Sequence, residues 1–128
     1  MIPFCRATGI GLIPWSPLAR GQLARPPQTG TVRSRTDEYA ARLYAATAES
    51  DAKVIARVQQ LAAARDVPPA RIALAWMLQK PGITAPIIGA SKPQHLADAV
   101  AAVSIKLTSE EITVLEEPYV PHPVAGHE

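Results

Sequence analysis

Two short apolar segments each end in a turn whose residue types suit a bound nucleotide. The first reads Ile13-Pro14-Trp15-Ser16-Pro17-Leu18-Ala19-Arg20-Gly21, and the second reads Pro86-Ile87-Ile88-Gly89-Ala90-Ser91-Lys92-Pro93. Trp15 offers a flat face for stacking, and the Gly-Ala-Ser-Lys turn precedes sequence that can form a helix. Free backbone N–H groups and the dipole at a helix start favour an anion. We therefore predict that the two segments are strand ends that form two walls of one nucleotide site.

Helices are expected around these two segments. Residues 1–8 resemble the end of a helix that Gly9 stops. Apolar residues at helical spacing then predict a helix that starts at Ser50-Asp51 and ends at Asp66-Val67-Pro68. The later helices are expected from Pro69 to about Lys80, from Pro93 to about Val103, and from the capping box Thr108-Ser109-Glu110-Glu111 to Pro118.

This order of elements predicts an α/β fold. Strand candidates at residues 11–15 and 83–88 alternate with helices, which is typical of parallel strands joined by crossover helices. Two strands are too few for such a sheet, because parallel sheets are buried on both faces. Residues 22–49 read as a long polar connection with a short helix near Asp37 to Ala46, and residues 118–128 read as a polar tail.

Composition excludes several classes of protein. Apolar residues make up 48% of the 128 residues, which favours a folded domain over disorder. The net charge of +2 comes without a basic tract, so nucleic-acid binding is disfavoured. No apolar run approaches the roughly 18 residues of a membrane span, and no signal peptide is recognisable. The single cysteine, Cys5, suits a reducing cytoplasm. Its few histidines do not have the spacing of metal ligands.

Four motifs carry a family resemblance. They read Pro14-Trp15-Ser16-Pro17-Leu18-Ala19-Arg20-Gly21, Ile72-Ala73-Leu74-Ala75-Trp76-Met77-Leu78-Gln79-Lys80-Pro81-Gly82, Pro86-Ile87-Ile88-Gly89-Ala90-Ser91-Lys92 and Leu107-Thr108-Ser109-Glu110-Glu111-Ile112. In order and spacing they resemble the last third or so of the aldo-keto reductase family. Each motif is moderately specific, but four in the right order are a strong signal that spans nearly the whole chain.

The resemblance implies a fold and an activity. The family consists of NADP(H)-dependent oxidoreductases built as a (β/α)8 TIM barrel, which reduce an aldehyde or ketone to an alcohol. Residues 1–128 would then be a helix-rich C-terminal fragment of that barrel, with residues 11–15 as strand seven and residues 85–89 as strand eight. Barrel enzymes bind ligands at the C-terminal ends of strands, often with phosphate near the loops after strands seven and eight.

The loop after strand seven would lie along the cofactor. By the resemblance, Trp15 stacks on the nicotinamide ring, and Arg20 or Arg25 pairs with phosphate. The alternative is a loop-anchoring or core Trp15 and solvated arginines, a reading that we favour for Arg25. The matched loop residues are Ser16, Pro17, Leu18, Ala19, Arg20 and Gly21.

The loop after strand eight would hold the adenine end of NADP(H). Ser91 and Lys92 are the candidates for the 2′-phosphate, and the alternative is an ordinary strand-to-helix turn with a Ser cap. Further along, the family often has Gln, an acid and Asn near the adenine. This chain has His95, Asp98 and Ala99 there, so the acid fits, His95 could also be a plain exposed residue, and Ala99 departs from the pattern. The expected contacts on this side are Ile88, Gly89, Ser91, Lys92, His95 and Asp98.

The catalytic Tyr, Lys, Asp and His of the family lie in its first half. Tyr39, Tyr44 and Tyr119 match none of the motifs around that Tyr, and His122 and His127 read as tail residues. We therefore expect no catalytic residue in this chain and no turnover by it alone. Two alternatives stay open, namely a non-catalytic nucleotide-binding module and an interaction protein that self-associates through exposed strand edges. An exposed apolar surface at Ile13, Ile87 and Ile88 would favour aggregation.

Overall fold

A computed structural model describes residues 1–25 and 42–122 of the chain. Short 3₁₀ turns lie at Ala19–Gly21 and Ala45–Thr47. Within the described residues no helix is long and apolar enough to cross a membrane. The α-helices are α1 at Ile2–Thr8, α2 at Ala48–Ala64, α3 at Pro69–Leu78, α4 at Pro93–Ala102 and α5 at Ser109–Glu116.

Prolines and caps set most of these helix ends, as predicted. Pro69 and Pro93 occupy the first helical positions of α3 and α4, where the missing N–H costs nothing. Gly9 ends α1 in the left-handed conformation. At α5 the Thr108 hydroxyl accepts from the Glu111 N–H while the Glu111 carboxylate accepts from the Thr108 N–H, which confirms the capping box.

The start of α2 differs from the prediction. The helix begins at Ala48, two residues before the expected Ser50-Asp51 start. Thr47 occupies the N-cap without a capping hydrogen bond, and its hydroxyl instead donates to the Asp51 carboxylate at 2.6 Å. Asp51 therefore stabilises the first turn, where a negative charge suits the helix dipole, but it does not mark the first residue.

The core lies among the helices. Ile72 and Ala75 of α3 pack against Val58 of α2, and Leu115 of α5 closes the cluster. The short residues of α3 let these helices approach closely, and Ile72 is fully buried. Because this cluster consists of helix residues and Leu107, the helical layer has its own apolar interior beside the two predicted strands.

The two predicted strands are present only as isolated pairings. Leu12 pairs with Ile83 and Trp15 pairs with Ile87, both in parallel orientation. The second segment has one residue more than the first between these two bridges, which interrupts the ladder as a bulge does. The prediction of continuous strands at residues 11–15 and 85–89 is therefore wrong for the part of the chain that the structure describes, while the parallel pairing is as predicted. Parallel pairs are weak without neighbouring strands, which explains the broken ladder.

Some predictions fall outside the described residues. The short helix expected near Asp37 to Ala46 is described only at its end, where residues 42–44 are helical and lead into the 3₁₀ turn at Ala45–Thr47. Its first residues lie outside the described part, as do Tyr39, His127 and most of the polar connection and tail. The described end of the tail contacts α2, because the His122 Nε2 atom lies 3.3 Å from an oxygen of Asp51. The Tyr119 ring lies 5.6 Å from the His122 ring, centroid to centroid, so this part of the tail packs on itself as well.

Candidate functional site

The ends of the two predicted strands lie side by side. The Ile87 N–H donates to the Pro14 carbonyl at 2.8 Å, and the Thr84 N–H donates to the Leu12 carbonyl at the same distance. These bonds and the bridge between Trp15 and Ile87 fix the starting points of both candidate loops next to each other. Side chains of a bridged pair point to the same face of a sheet. Trp15 and Ile87 therefore share one face, and the residues expected to bind NADP(H) follow each of them directly.

The indole of Trp15 faces open space. Its side chain is 71% exposed, although it follows the half-buried Pro14. A tryptophan that served as a core or loop anchor would bury most of its large apolar surface. The alternative of a core Trp15 is therefore wrong in this structure, and a free aromatic face is available for stacking.

The loop after Trp15 is held in an unusual backbone conformation. Ser16, Ala19 and Arg20 have φ angles of 54°, 47° and 54°, in the left-handed region that non-glycine residues rarely adopt. Each such residue costs about 1 kcal/mol or more, so the surrounding contacts must stabilise the loop. The burial of Pro17 and the packing of Leu18 against the helical core supply such contacts.

Arg25 closes this loop. A Cβ atom on Gly21, which has a φ angle of 100°, would collide with the guanidinium of Arg25. The carbonyl of Arg25 also accepts a hydrogen bond from the Gln59 side chain of α2 at 3.1 Å. Arg25 is half-buried, and its guanidinium lies against Gly21 of the candidate cofactor loop; its interpretation as a solvated charge stays a prediction. The positive φ angle of Gly21 favours glycine at this position.

The second loop leads into α4 without a serine cap. Lys92 occupies the N-cap of α4 in an extended conformation, and no side chain caps this helix end. Ser91 instead lies beside His95, with Oγ 3.4 Å from Nδ1. The alternative of a Ser-capped turn is therefore wrong. The structure brings Ser91, Lys92 and His95 together on the exposed first turn of α4, next to Gly89, whose Cβ position has no heavy atom within 4 Å.

Asp98 is engaged within the fold. One of its carboxylate oxygens accepts from Arg71 of α3, with distances of 2.9 Å to Nε and 2.8 Å to Nη2, and from Gln94 at 3.1 Å. The Asp98 side chain is 14% exposed. This carboxylate thus joins α4 to α3 and orients the turn that carries Ser91 and His95. An adenine contact would have to use its second oxygen.

Replacing Arg71 by glutamine is expected to lower the free energy of unfolding by about 1–2 kcal/mol. The pair with Asp98 is mostly buried, and truncation of one partner leaves the other charge without compensation. The matched control is Arg57→Gln, because Arg57 lies 3.4 Å from Glu117 in a pair whose side chains are 41% and 67% exposed. The free energy of unfolding of that variant is expected to fall by no more than about 0.5 kcal/mol. Urea denaturation followed by circular dichroism measures both, and equal losses would contradict the anchoring role of Arg71.

The chain belongs to the aldo/keto reductase family, whose model matches residues 1–119. Members of this family are oxidoreductases with a (β/α)8 barrel, and the parallel pairing of Trp15 with Ile87 is consistent with that fold. The family resemblance stated from the four sequence motifs is thus confirmed.

Curated relatives extend well beyond this chain. Versiconal hemiacetal acetate reductase of Aspergillus parasiticus is 47% identical over 123 residues, which cover 94% of this chain and 36% of the relative. Aldo-keto reductase NECHADRAFT_45914 of Fusarium vanettenii is 42% identical, with 99% and 34% covered, and aldo-keto reductase AMT2 of Alternaria alternata is 39% identical, also with 99% and 34% covered. The chain therefore spans about a third of the length of these relatives.

Sequence reasoning missed two contributors to this site, Arg71 and Gln59. Gln59 donates to the backbone of the first loop at Arg25, and Arg71 pairs with Asp98 of α4, and each lies far along the chain from its partner. No local spacing relates Arg71 to Asp98, since they lie on different helices. Among the described residues no group of three or more acidic, His or Cys side chains forms a candidate metal site.

Proposed function

We propose that this chain is the cofactor-binding C-terminal part of an NADP(H)-dependent aldo-keto reductase that reduces an aldehyde or ketone to an alcohol. The observation that carries the proposal is the parallel bridge between Trp15 and Ile87, which sets both matched loops side by side. The reductases among its relatives support the reaction class. The chain alone is expected to be inactive.

The described residues fit a nicotinamide dinucleotide. The exposed indole of Trp15 offers a stacking face, and open space lies beside Gly89. The N-terminus of α4 has no side-chain cap, and Lys92 occupies its N-cap position, which suits a phosphate group. An aromatic face at one loop and an anion site at the other match the two ends of such a cofactor.

A bound NADPH would supply the hydride for the carbonyl carbon of the substrate. Trp15 would hold the nicotinamide ring flat, and the loop Ser16–Gly21 would follow the pyrophosphate with its strained backbone. Ser91 and Lys92 would bind the 2′-phosphate, with His95 beside the adenine. Positioning of this kind lowers the barrier because the reacting atoms are held at close range. The proton for the carbonyl oxygen would come from the part of the family barrel that carries the catalytic Tyr.

NADPH is expected to quench the fluorescence of Trp15 without being oxidised. The measurement uses the Trp76→Phe variant, so that Trp15 is the remaining tryptophan of the chain. Stacking predicts saturable quenching by NADPH, weaker quenching by NADH because Lys92 favours the 2′-phosphate, and a loss of this preference in Lys92→Gln. Absorbance at the NADPH band with a panel of aldehydes tests turnover.

The outcomes separate the parts of the proposal. Saturable quenching without turnover supports a cofactor-binding segment that lacks its proton donor. Turnover by the purified chain would contradict the expected inactivity, and absence of quenching would contradict the cofactor site itself. Quenching that is equal for NADPH and NADH would leave the binding site in place but refute the role of Lys92.

A further inference from the structure

The C-terminal segment of the described chain runs back along α2. Helix α5 begins beside the C-terminal end of α2, and three pairs of charged or titratable side chains among the described residues then follow one another toward the start of α2. In order along the segment, the pairs are Glu111 with Arg65, Glu117 with Arg57 and His122 with Asp51. The last pair holds residues 118–122, here called the tail segment, against the first turn of α2.

The contact between His122 and Asp51 is held from both sides. The Nε2 atom of His122 lies 3.3 Å from Oδ1 of Asp51, and Oδ2 of Asp51 accepts from the Thr47 hydroxyl at 2.6 Å. On the tail side, the Tyr119 ring lies 5.6 Å from the His122 ring, centroid to centroid. The side chains of His122 and Asp51 are 33% and 19% exposed, so solvent and salt screen their attraction less than they would at an open surface.

This pair differs from the other two because one of its members is a histidine. Histidine is the side chain whose charge ordinarily changes between about pH 5 and pH 8, and a hydrogen bond to its charged form is roughly twice as strong as one to the neutral form. The groups that face the His122 ring among the described residues are the Asp51 carboxylate from α2 and the Tyr119 ring from the tail segment. The next pair along the row is Arg57 with Glu117. Carboxylates, phenols and guanidinium groups ordinarily keep one charge state over this pH range.

We propose that His122 and Asp51 form a pH-dependent clasp that holds the tail segment on the first turn of α2 in mild acid and releases it as the pH rises. Protonated His122 attracts the Asp51 carboxylate, and loss of the proton removes this attraction. A partly exposed ion pair changes an equilibrium by up to about fivefold. Such a change matters here, because the end segments of a domain are ordered only where contacts tie them down. The proposal does not depend on the cofactor site.

The test follows the mobility of Val120, which lies between Tyr119 and His122 and is 54% exposed. Relaxation of its ¹³Cα nucleus in the full chain gives an order parameter at pH 5.5 and at pH 8.5. The value should fall from near 0.85, typical of rigid backbone, to about 0.6 or less, typical of flexible backbone. His122→Lys keeps a positive charge at both pH values and should keep Val120 ordered at both. His122→Gln has no charge at either pH and should leave Val120 mobile at both.

Two controls make the other outcomes decisive. His95→Gln removes a histidine of α4 and should retain the pH response, and Val114 of α5 should stay ordered at both pH values. An order parameter of Val120 that is equal at both pH values in the natural chain would refute the clasp. A pH response that survives in His122→Gln or His122→Lys would assign it to another group and overturn the proposal, as would a joint loss of order at Val114 and Val120. NADPH is left out, so failure of the cofactor site would not change these readouts.

Discussion

Replacing Ile72 by alanine is expected to destabilise the chain by about 2–5 kcal/mol, the range for removing a buried isoleucine side chain. Ile72 of α3 is fully buried in the cluster that α3 forms with α2 and α5. Removal of its methyl groups would therefore leave a cavity that the helices fill only in part. Small domains have total stabilities of roughly 5–15 kcal/mol. The helical signal at low urea and the midpoint of urea denaturation should therefore both fall sharply.

Ile87→Ala is the matched control for this prediction. It removes the same atoms from a side chain that is 52% exposed and lies outside the helical core. The decrease in stability depends on how much buried apolar area is removed. The free energy of unfolding of this variant should therefore fall by less than about 1 kcal/mol. A similar decrease in the free energy of unfolding for the two variants would contradict a core formed by the helices. It would indicate that the paired segments belong to the core.

The helices could be predicted from sequence because their signals are local. Pro69 and Pro93 each fix the first turn of a helix, and Thr108 with Glu111 closes a box within four residues. Where the local signal was ambiguous, as between Thr47 and Ser50, the predicted start of α2 was two residues late.

The strands could not be predicted in the same way. A β-branched segment such as Ile83 to Ile88 indicates extended structure, but a ladder forms only if a neighbour supplies hydrogen bonds. Here each segment has the other beside it, and the extra residue before Ile87 breaks the register. Local sequence determines whether a chain is extended, whereas the continuity of a parallel ladder depends on the strands around it.

The candidate site shows the same division between local and distant signals. Trp15, Ser91 and Lys92 came from motifs, and the structure sets their loops on neighbouring segments. The carboxylate of Asp98 also came from a motif, but its partner Arg71 lies on another helix and could be found only from the fold. The candidate ligand contacts are thus visible in the sequence, while the side chains that hold their loops in place are not.

The pair of Arg65 and Glu111 offers a second large effect on stability. Arg65, the C-cap residue of α2, donates from Nε to the Glu111 carboxylate at 2.6 Å and makes a second, short contact through Nη2. The same Nη2 donates to the Lys106 carbonyl at 3.0 Å. Glu111 also closes the capping box of α5. One carboxylate therefore caps α5 and joins it to the C-terminal end of α2.

Two variants separate these roles. Glu111→Gln keeps a side-chain carbonyl that can accept from the Thr108 N–H, so it removes mainly the ion pair and should cost about 1 kcal/mol. Glu111→Ala removes the cap as well and should cost about 2–3 kcal/mol. Glu110→Gln, which changes the same charge on the same turn, is the control and should leave the urea midpoint almost unchanged. If Glu111→Gln were as damaging as Glu111→Ala, the cap would contribute nothing.

The ion pair also predicts a dependence on pH. The hydrogen bonds from the Arg65 side chain hold the pKa of Glu111 below its ordinary value. A carboxyl group whose pKa is lowered by folding binds fewer protons in the native state, so its contribution to stability is complete above the unfolded pKa of about 4.3 and is lost as the pH falls through the folded pKa. The natural chain should have a higher free energy of unfolding than the Glu111→Gln variant. This difference should be constant near neutral pH and should shrink below about pH 4.3. Urea titrations of both proteins from pH 7 to pH 3 measure this difference, and a gap that stayed constant or widened in acid would contradict the assignment of the charge to Glu111.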